Sequence, residues 1–148
     1  MTDDYRLPAM LEPDLARVRG YWEGLKRGGN AIPFWDDIKF SQQTRVARET
    51  MLIEVFENPQ RLRFDLVGDD VAELYGSEIN GKFADEIDLH QPFDAIDRQC
   101  RITVERAAPT YYRREIKERA NHGYSRLILP LWGNGRIEML LAAVAALQ

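Results

Sequence analysis

Two histidines, one cysteine and two clusters of charge are the residues of this chain with chemical potential. His90 lies among Asp85, Glu86, Asp88 and Asp94, and a carboxylate beside an imidazole is a pairing used in general acid–base work. A solvated loop whose acids cap a helix is the plainer account of the same residues. His122 falls in an Asn121-His122-Gly123 turn. The two histidines form no i, i+4 pair and have no companion cysteines, so no metal site is expected. Cys100 shares a helical apolar spacing with Ile96 and with Thr103 or Val104. With no basic cluster to stabilise a thiolate, it reads as an inert core thiol. Arg113, Arg114, Lys117 and Arg119 are interleaved with Tyr112 and Ile116. Beside Tyr111-Tyr112 they could stack on and hold an anion or nucleotide, although a charged strand that blunts a sheet edge explains them as well. Gly68, Gly76 and Gly81 are spaced as turn residues, not as a phosphate loop. No nucleophile elbow is present, and no catalytic residue is assigned.

The bulk properties narrow the setting. A length of 148 residues fits one domain with a real core. The 45% hydrophobic and 30% charged composition is ordinary for a globular chain, as is the mean hydropathy of −0.44. A net charge of −4 argues against a nucleic-acid partner, because phosphate contacts need a basic surface. A single cysteine rules out an internal disulfide and fits a reducing compartment. The acidic Met1-Thr2-Asp3-Asp4 start lacks the features of a secretory signal. The longest apolar run, Ile137 to Leu147, is too short to span a bilayer and carries Glu138. A cytoplasmic chain without membrane insertion is the expectation.

The elements that must position these residues follow from periodicity. Residues 1–12 show no period and read as an arm. Pro13-Asp14 opens a helix with Leu15, Val18, Trp22 and Leu25 on one face, stopped at Gly28-Gly29-Asn30. A bulky turn, Ile32 to Ile38, precedes a polar stretch with a short helix to about Glu49. Met51 to Phe56 and Arg61 to Gly68 read as a hairpin, with Leu62, Phe64 and Leu66 alternating onto one face. Asp69-Asp70 caps a short helix through Tyr75, ended by Gly76. Asn80-Gly81 turns, Phe83 to Ile87 forms a short piece, and a longer helix runs from after Pro92 to about Ala107. Tyr111 to Glu118 and Ser125 to Trp132 read as strands, and Asn134-Gly135 marks a tight hairpin into a last strand ending near Val144. So apolar a hairpin belongs in the middle of a covered sheet. The tally is one α+β domain with an antiparallel sheet, residues 13–148 following the arm.

This order of elements resembles a PAS domain, and local patterns resemble the single-domain PAS-like proteins of alphaproteobacteria. The residues that carry the likeness are Tyr21-Trp22, Leu25, Gly28-Gly29, Ile32-Pro33, Arg63 to Gly68, Leu74-Tyr75-Gly76, Asn80-Gly81-Lys82 with Asp85-Glu86-Ile87, Leu129-Pro130-Leu131 and Asn134-Gly135. It extends from about Leu15 to Val144. Two positions depart from the pattern: Phe34-Trp35 follow Ile32-Pro33 where a small residue and an arginine are usual, and Trp132 replaces a serine. The resemblance implies a five-stranded antiparallel sheet with helices on one face and an N-terminal helical extension. It also implies a sensory or regulatory module acting through protein–protein interaction, with space for a small molecule in the core. Phe64, Leu74, Tyr75, Cys100, Leu129 and Trp132 are the candidates to line that space.

PAS domains that bind haem use a histidine in the region of His90, but a lone histidine reads more simply as a surface or capping residue. Flavin-binding PAS light sensors carry an Asn-Cys-Arg-Phe-type motif; Cys100-Arg101 has no Asn before it and no Phe after it. Both cofactors are disfavoured and none is predicted. Leu15, Val18, Tyr21, Trp22 and Leu25 are the interface candidates, since PAS domains commonly dimerise through such a helix; packing on the chain's own sheet is the alternative. With no kinase, cyclase or DNA-binding segment in the sequence, output is expected through another signalling protein in trans. The competing class is a small isomerase- or cyclase-like α+β enzyme with His90 or Asp65 as base in an apolar cavity. Nucleic-acid binding through Arg113 to Arg119 is a third reading.

Overall fold

A computed structural model describes residues 5–40, 44–115 and 123–147. The elements are α1 (Pro13–Gly24), α2 (Thr44–Glu49), β1 (Thr50–Phe56), β2 (Arg61–Val67), α3 (Asp69–Tyr75), α4 (Ile96–Arg106), β3 (Thr110–Glu115), β4 (Gly123–Gly133) and β5 (Arg136–Ala146). Short 3-10 turns occupy Trp35–Asp37 and Ala84–Glu86. The strands form one antiparallel sheet ordered β2-β1-β5-β4-β3, as the α+β reading requires. β4 and β5 turn on Asn134 (φ 50°) and Gly135 (φ 76°), the pair of positive φ values that a type I′ hairpin demands.

Both faces of the sheet are covered, which explains why β4 and β5 show apolar runs instead of alternation. One face carries Tyr124, Ile128, Leu140, Ala142 and Val144 beneath α3, α4 and the loops between them. The other carries Leu127, Leu129, Leu131, Met139, Leu141 and Ala143 and receives Leu15, Val18 and Trp22 of α1. α1 therefore packs in cis, its stripe buried against the sheet of the same chain. The buried Trp22 indole N–H donates to the Pro130 carbonyl at 2.9 Å. Pro130 is tolerated in a central strand because β3 pairs only as far as Ile128, leaving no ladder bond to lose on that side.

Local expectations shift in two places. Leu52 pairs with Leu66 and Ile53 with Phe64, so Asp65 is an extra residue in β2. This bulge turns Leu66 outward, 49% exposed, and brings Val67 into the core in its place. At the start of α3 the N-cap is Gly68, and Asp69 and Asp70 lie in the first turn without capping bonds. A Cβ on Gly68 would lie 2.2 Å from the Ala47 carbonyl oxygen, so only glycine lets α2 approach this closely.

Three short non-strand segments lie along the sheet margins. The Tyr111 N–H donates to the Tyr5 carbonyl at 3.0 Å, placing the arm beside β3. The Trp132 N–H donates to the Pro33 carbonyl at 2.9 Å where β3 has ended. On β2, the Phe64 N–H donates to the Lys82 carbonyl at 2.8 Å, and the Gly81 N–H donates to the Phe64 carbonyl.

Candidate functional site

Strand alternation puts Arg126 of β4 on the α4 face between Tyr124 and Ile128, where it is 0% exposed. Its Nε donates to Gln99 Oε1 of α4 at 2.7 Å. Its Nη1 donates to the carbonyls of Pro92 at 2.8 Å and Asp94 at 3.1 Å. Nη2 is buried without a hydrogen-bond partner among the described residues. The guanidinium carbon lies 5.2 Å from the Tyr112 ring centre and 5.8 Å from that of Tyr124, so two aromatic faces partly compensate the charge. Burial pushes the Arg126 pKa down. Among the described residues no carboxylate bonds this cation. The nearby Asp94 carboxylate accepts instead from the Tyr124 hydroxyl and Arg114 Nη1. Burial favours the neutral Asp94 carboxyl, but these two donors outweigh it and hold its pKa below the usual value. Gln99 is fixed in turn: its Nε2 donates to Thr110 Oγ1 at 3.1 Å and to the Arg126 carbonyl at 3.3 Å.

The segment from Asp88 to Ile96 covers this cation and ties it to the core. Phe93 is 0% exposed and stacks on Phe64 (5.5 Å between centres) and on Tyr75 (4.9 Å). His90 stacks on the other side of Tyr75 at 4.2 Å. Four rings thus run from the surface at His90 to the core at Phe64. Both His90 nitrogens face acceptors: Nε2 lies 2.9 Å from the Tyr75 carbonyl and Nδ1 3.0 Å from Asp88 Oδ2. Only the protonated ring can donate to both. The Tyr75 carbonyl first, and then Asp88, raise the His90 pKa above its ordinary value. The Tyr75 hydroxyl donates back to the Asp88 carbonyl at 2.5 Å.

The structure brings together only some of the residues predicted to line a ligand space. Phe64, Tyr75 and Cys100 share the α4-side core, packed with Phe93 and Ile96. Leu129 faces α1 on the opposite side of the sheet, because it is one residue out of phase with Ile128. Leu74 points outward at 45% exposure, since the buried face of α3 is carried by Val71 and Tyr75. Trp132 packs against the α4-side core from the hairpin end and is bridged to Phe34, so the two departures from the PAS-like pattern meet. With Asn30, Ala31 and Ile32 they line an open cleft of ≈ 330 Å³. A smaller opening of ≈ 160 Å³ lies near Arg61, Leu62, Leu89 and Arg101. Cys100 is fully buried, and its thiol pKa is pushed up to about 12.

Of the interface candidates, Leu15, Val18 and Trp22 are buried in cis, and Tyr21 is partly buried, its hydroxyl accepting from the Lys39 N–H at 2.8 Å. Leu25 is half-buried at the helix end. Leu15, Val18, Tyr21 and Trp22 pack on the chain's own sheet, and the helix could offer them to a partner only by leaving it. Asp65 is an exposed bulge residue near Arg63. Arg113 pairs with Glu115 and Arg114 with Asp94; Ile116, Lys117, Arg119 and His122 lie outside the described residues. Among the described residues no group of three His, Cys, Asp or Glu side chains is placed to hold a metal, and no helix is long and apolar enough to cross a membrane.

Arg126, Gln99 and Phe93 were not anticipated as a site. A signal existed: Arg126 interrupts an otherwise apolar central strand, and a charge there requires buried partners.

No family model and no curated protein matches the chain. Among solved structures it is similar to an RNA-binding light-oxygen-voltage receptor, at 14% identity and a TM-score of 0.48, the match covering 82% of this chain and 36% of that one. The chain thus spans about a third of that receptor's length.

Proposed function

We propose that this chain is a PAS-type sensory or regulatory module rather than an enzyme, acting on another protein. The observation that carries this reading is the Asp88 to Ile96 segment. Within nine residues it supplies an exposed histidine, an aromatic plug in the core and two carbonyls that hold the buried Arg126. Such an element has two natural arrangements, seated and lifted, and anything favouring one shifts the population. Seating depends on contacts from three directions, so lifting it alters the surface around α3, α4 and β3 together. The candidates for a catalytic base also support a non-enzymatic role. Asp65 is exposed on an edge strand, and His90 is held at the rim by backbone and Asp88 contacts.

The test is chemical cross-linking of the full chain in cell extract, comparing the natural sequence with Phe93→Ala. A protein partner whose yield depends on the state of the segment supports the reading. Identical capture by both forms, with Phe93→Ala folded, overturns it.

A further inference from the structure

The geometry points to Arg126 as the receptor for a small carboxylate ligand, and we propose that such an anion competes with the Asp88 to Ile96 segment for the guanidinium. The inference deepens the regulatory reading above and rests on it. A buried guanidinium is costly unless its donors and its charge are both met. Here the donors are met only in part, because Nη2 has no partner among the described residues. Its hydrogen bonds go to neutral acceptors, one amide oxygen and two carbonyls, and two tyrosine rings stand beside it. Among the described residues the acid beside it is Asp94, which acts on the cation through space while its carboxylate accepts from Tyr124 and Arg114.

The missing element is therefore a planar anion that accepts from two guanidinium nitrogens at once, the geometry for which arginine is suited. Nη1 and Nη2 offer that fork. Nη2 is free among the described residues, and Nη1 is held by two carbonyls, of which the Asp94 contact, at 3.1 Å, is the longer. A carboxylate that takes the fork gains a charge-assisted pair and replaces a neutral carbonyl. The displaced carbonyl belongs to the segment that carries Phe93, so occupancy at Arg126 is converted into movement of the ladder. The rings of Tyr112 and Tyr124, tilted by 51° with their centres 6.2 Å apart, both stand beside the guanidinium.

The test uses the full chain labelled with nitrogen-15, following the Arg126 side-chain signals and the backbone amides of residues 93–100. Sodium acetate and propionate are titrated at constant ionic strength against chloride, with sulfate as the tetrahedral comparison. A saturable shift of the Arg126 signals with either carboxylate, absent with chloride and sulfate, is expected. In Arg126→Lys, which keeps the charge and loses the fork, the response should weaken about tenfold or more, equivalent to one lost charge-assisted bond of ~1.4 kcal/mol. Unmoved Arg126 signals in the natural sequence overturn the proposal whether or not the variant folds. Equal responses to chloride or sulfate, or an undiminished response in a folded Arg126→Lys, do so as well. If carboxylates fail while Phe93→Ala still alters partner capture, the anion site is refuted and the regulatory module stands; the reverse pattern refutes the partner reading alone.

Discussion

Replacing Phe93 tests whether the four rings act as a ladder. Phe93→Leu keeps a buried apolar side chain but removes ring contacts at 5.5 Å to Phe64 and 4.9 Å to Tyr75. Aromatic pairs contribute about 0.5–1.5 kcal/mol each beyond burial, so two such pairs give about 1–3 kcal/mol. Phe93→Ala also leaves a cavity and should cost about 3–5 kcal/mol. With a urea slope of about 2 kcal/mol/M, the Leu variant lowers the unfolding midpoint by roughly 0.5–1.5 M. Circular dichroism in urea measures this directly. A second readout distinguishes a ladder from ordinary core packing. Once Tyr75 loses its inner neighbour, its carbonyl holds the His90 ring less firmly. The His90 pKa, followed by proton NMR, should then fall back toward its ordinary value in both variants. A Leu variant within about 0.5 kcal/mol of the natural sequence, with an unchanged His90 titration, would refute the ladder.

The contact of His90 with Tyr75 and Asp88 should be pH-dependent. Its raised folded-state pKa means that the stabilisation is complete below the ordinary imidazole value and lost as pH rises through the folded value. Asp94 acts in the opposite sense: its lowered pKa gives stabilisation present above the usual carboxylate range and lost as pH falls through the folded value. Amide exchange of residues 93–97, corrected for intrinsic rates, should therefore be slowest at mildly acidic pH, and His90→Ala should remove the alkaline limb only; a flat profile in the natural sequence contradicts both assignments. Trp22→Phe leaves the Pro130 carbonyl without its donor and should destabilise by about 1–3 kcal/mol in urea titrations; a neutral effect would mean that water satisfies that carbonyl. Gly68→Ala forces α2 away from the start of α3 and should cost at least about 1–3 kcal/mol by overpacking, visible as a lower thermal midpoint; an unchanged midpoint would show that α2 shifts freely.

How much of this was legible from sequence depended on whether the governing contact was local. Asn134-Gly135 could be read directly, since a two-residue hairpin needs positive φ at both positions and few residue pairs adopt it. The α4 stripe of Ile96, Cys100 and Thr103 likewise follows from periodicity. The outward turn of Leu66 does not, because a single inserted residue inverts the alternation and the inserting signal lies in the pairing with β1. The apolar stripe on α1 announced a covered helix but not which surface covers it, and the structure supplies the chain's own sheet. Leu129 and Phe64 lie on opposite faces of the sheet because their faces are set by a register no local pattern encodes. Arg126 was passed over because its partners come from four separate stretches, at Pro92, Asp94, Gln99 and the tyrosines of β3 and β4.

The short segments along the sheet margins limit how its edges can pair. Tyr5 occupies part of the outer ladder of β3, Pro33 that of β4 beyond β3, and Gly81 and Lys82 that of β2. A sheet with its rims partly occupied gives an incoming strand little unbroken backbone to pair with, which guards against edge-to-edge stacking. Recognition by another protein then falls to side chains and clefts, unless one of these guards is lifted. The arm meets β3 through the Tyr5 carbonyl, through the Tyr5 ring beside Tyr112, and through Glu12, which accepts from the Tyr111 hydroxyl at 2.6 Å. Peeling the arm away would expose more of the outer β3 edge, so a stretch without regular structure shields a strand from unwanted partners.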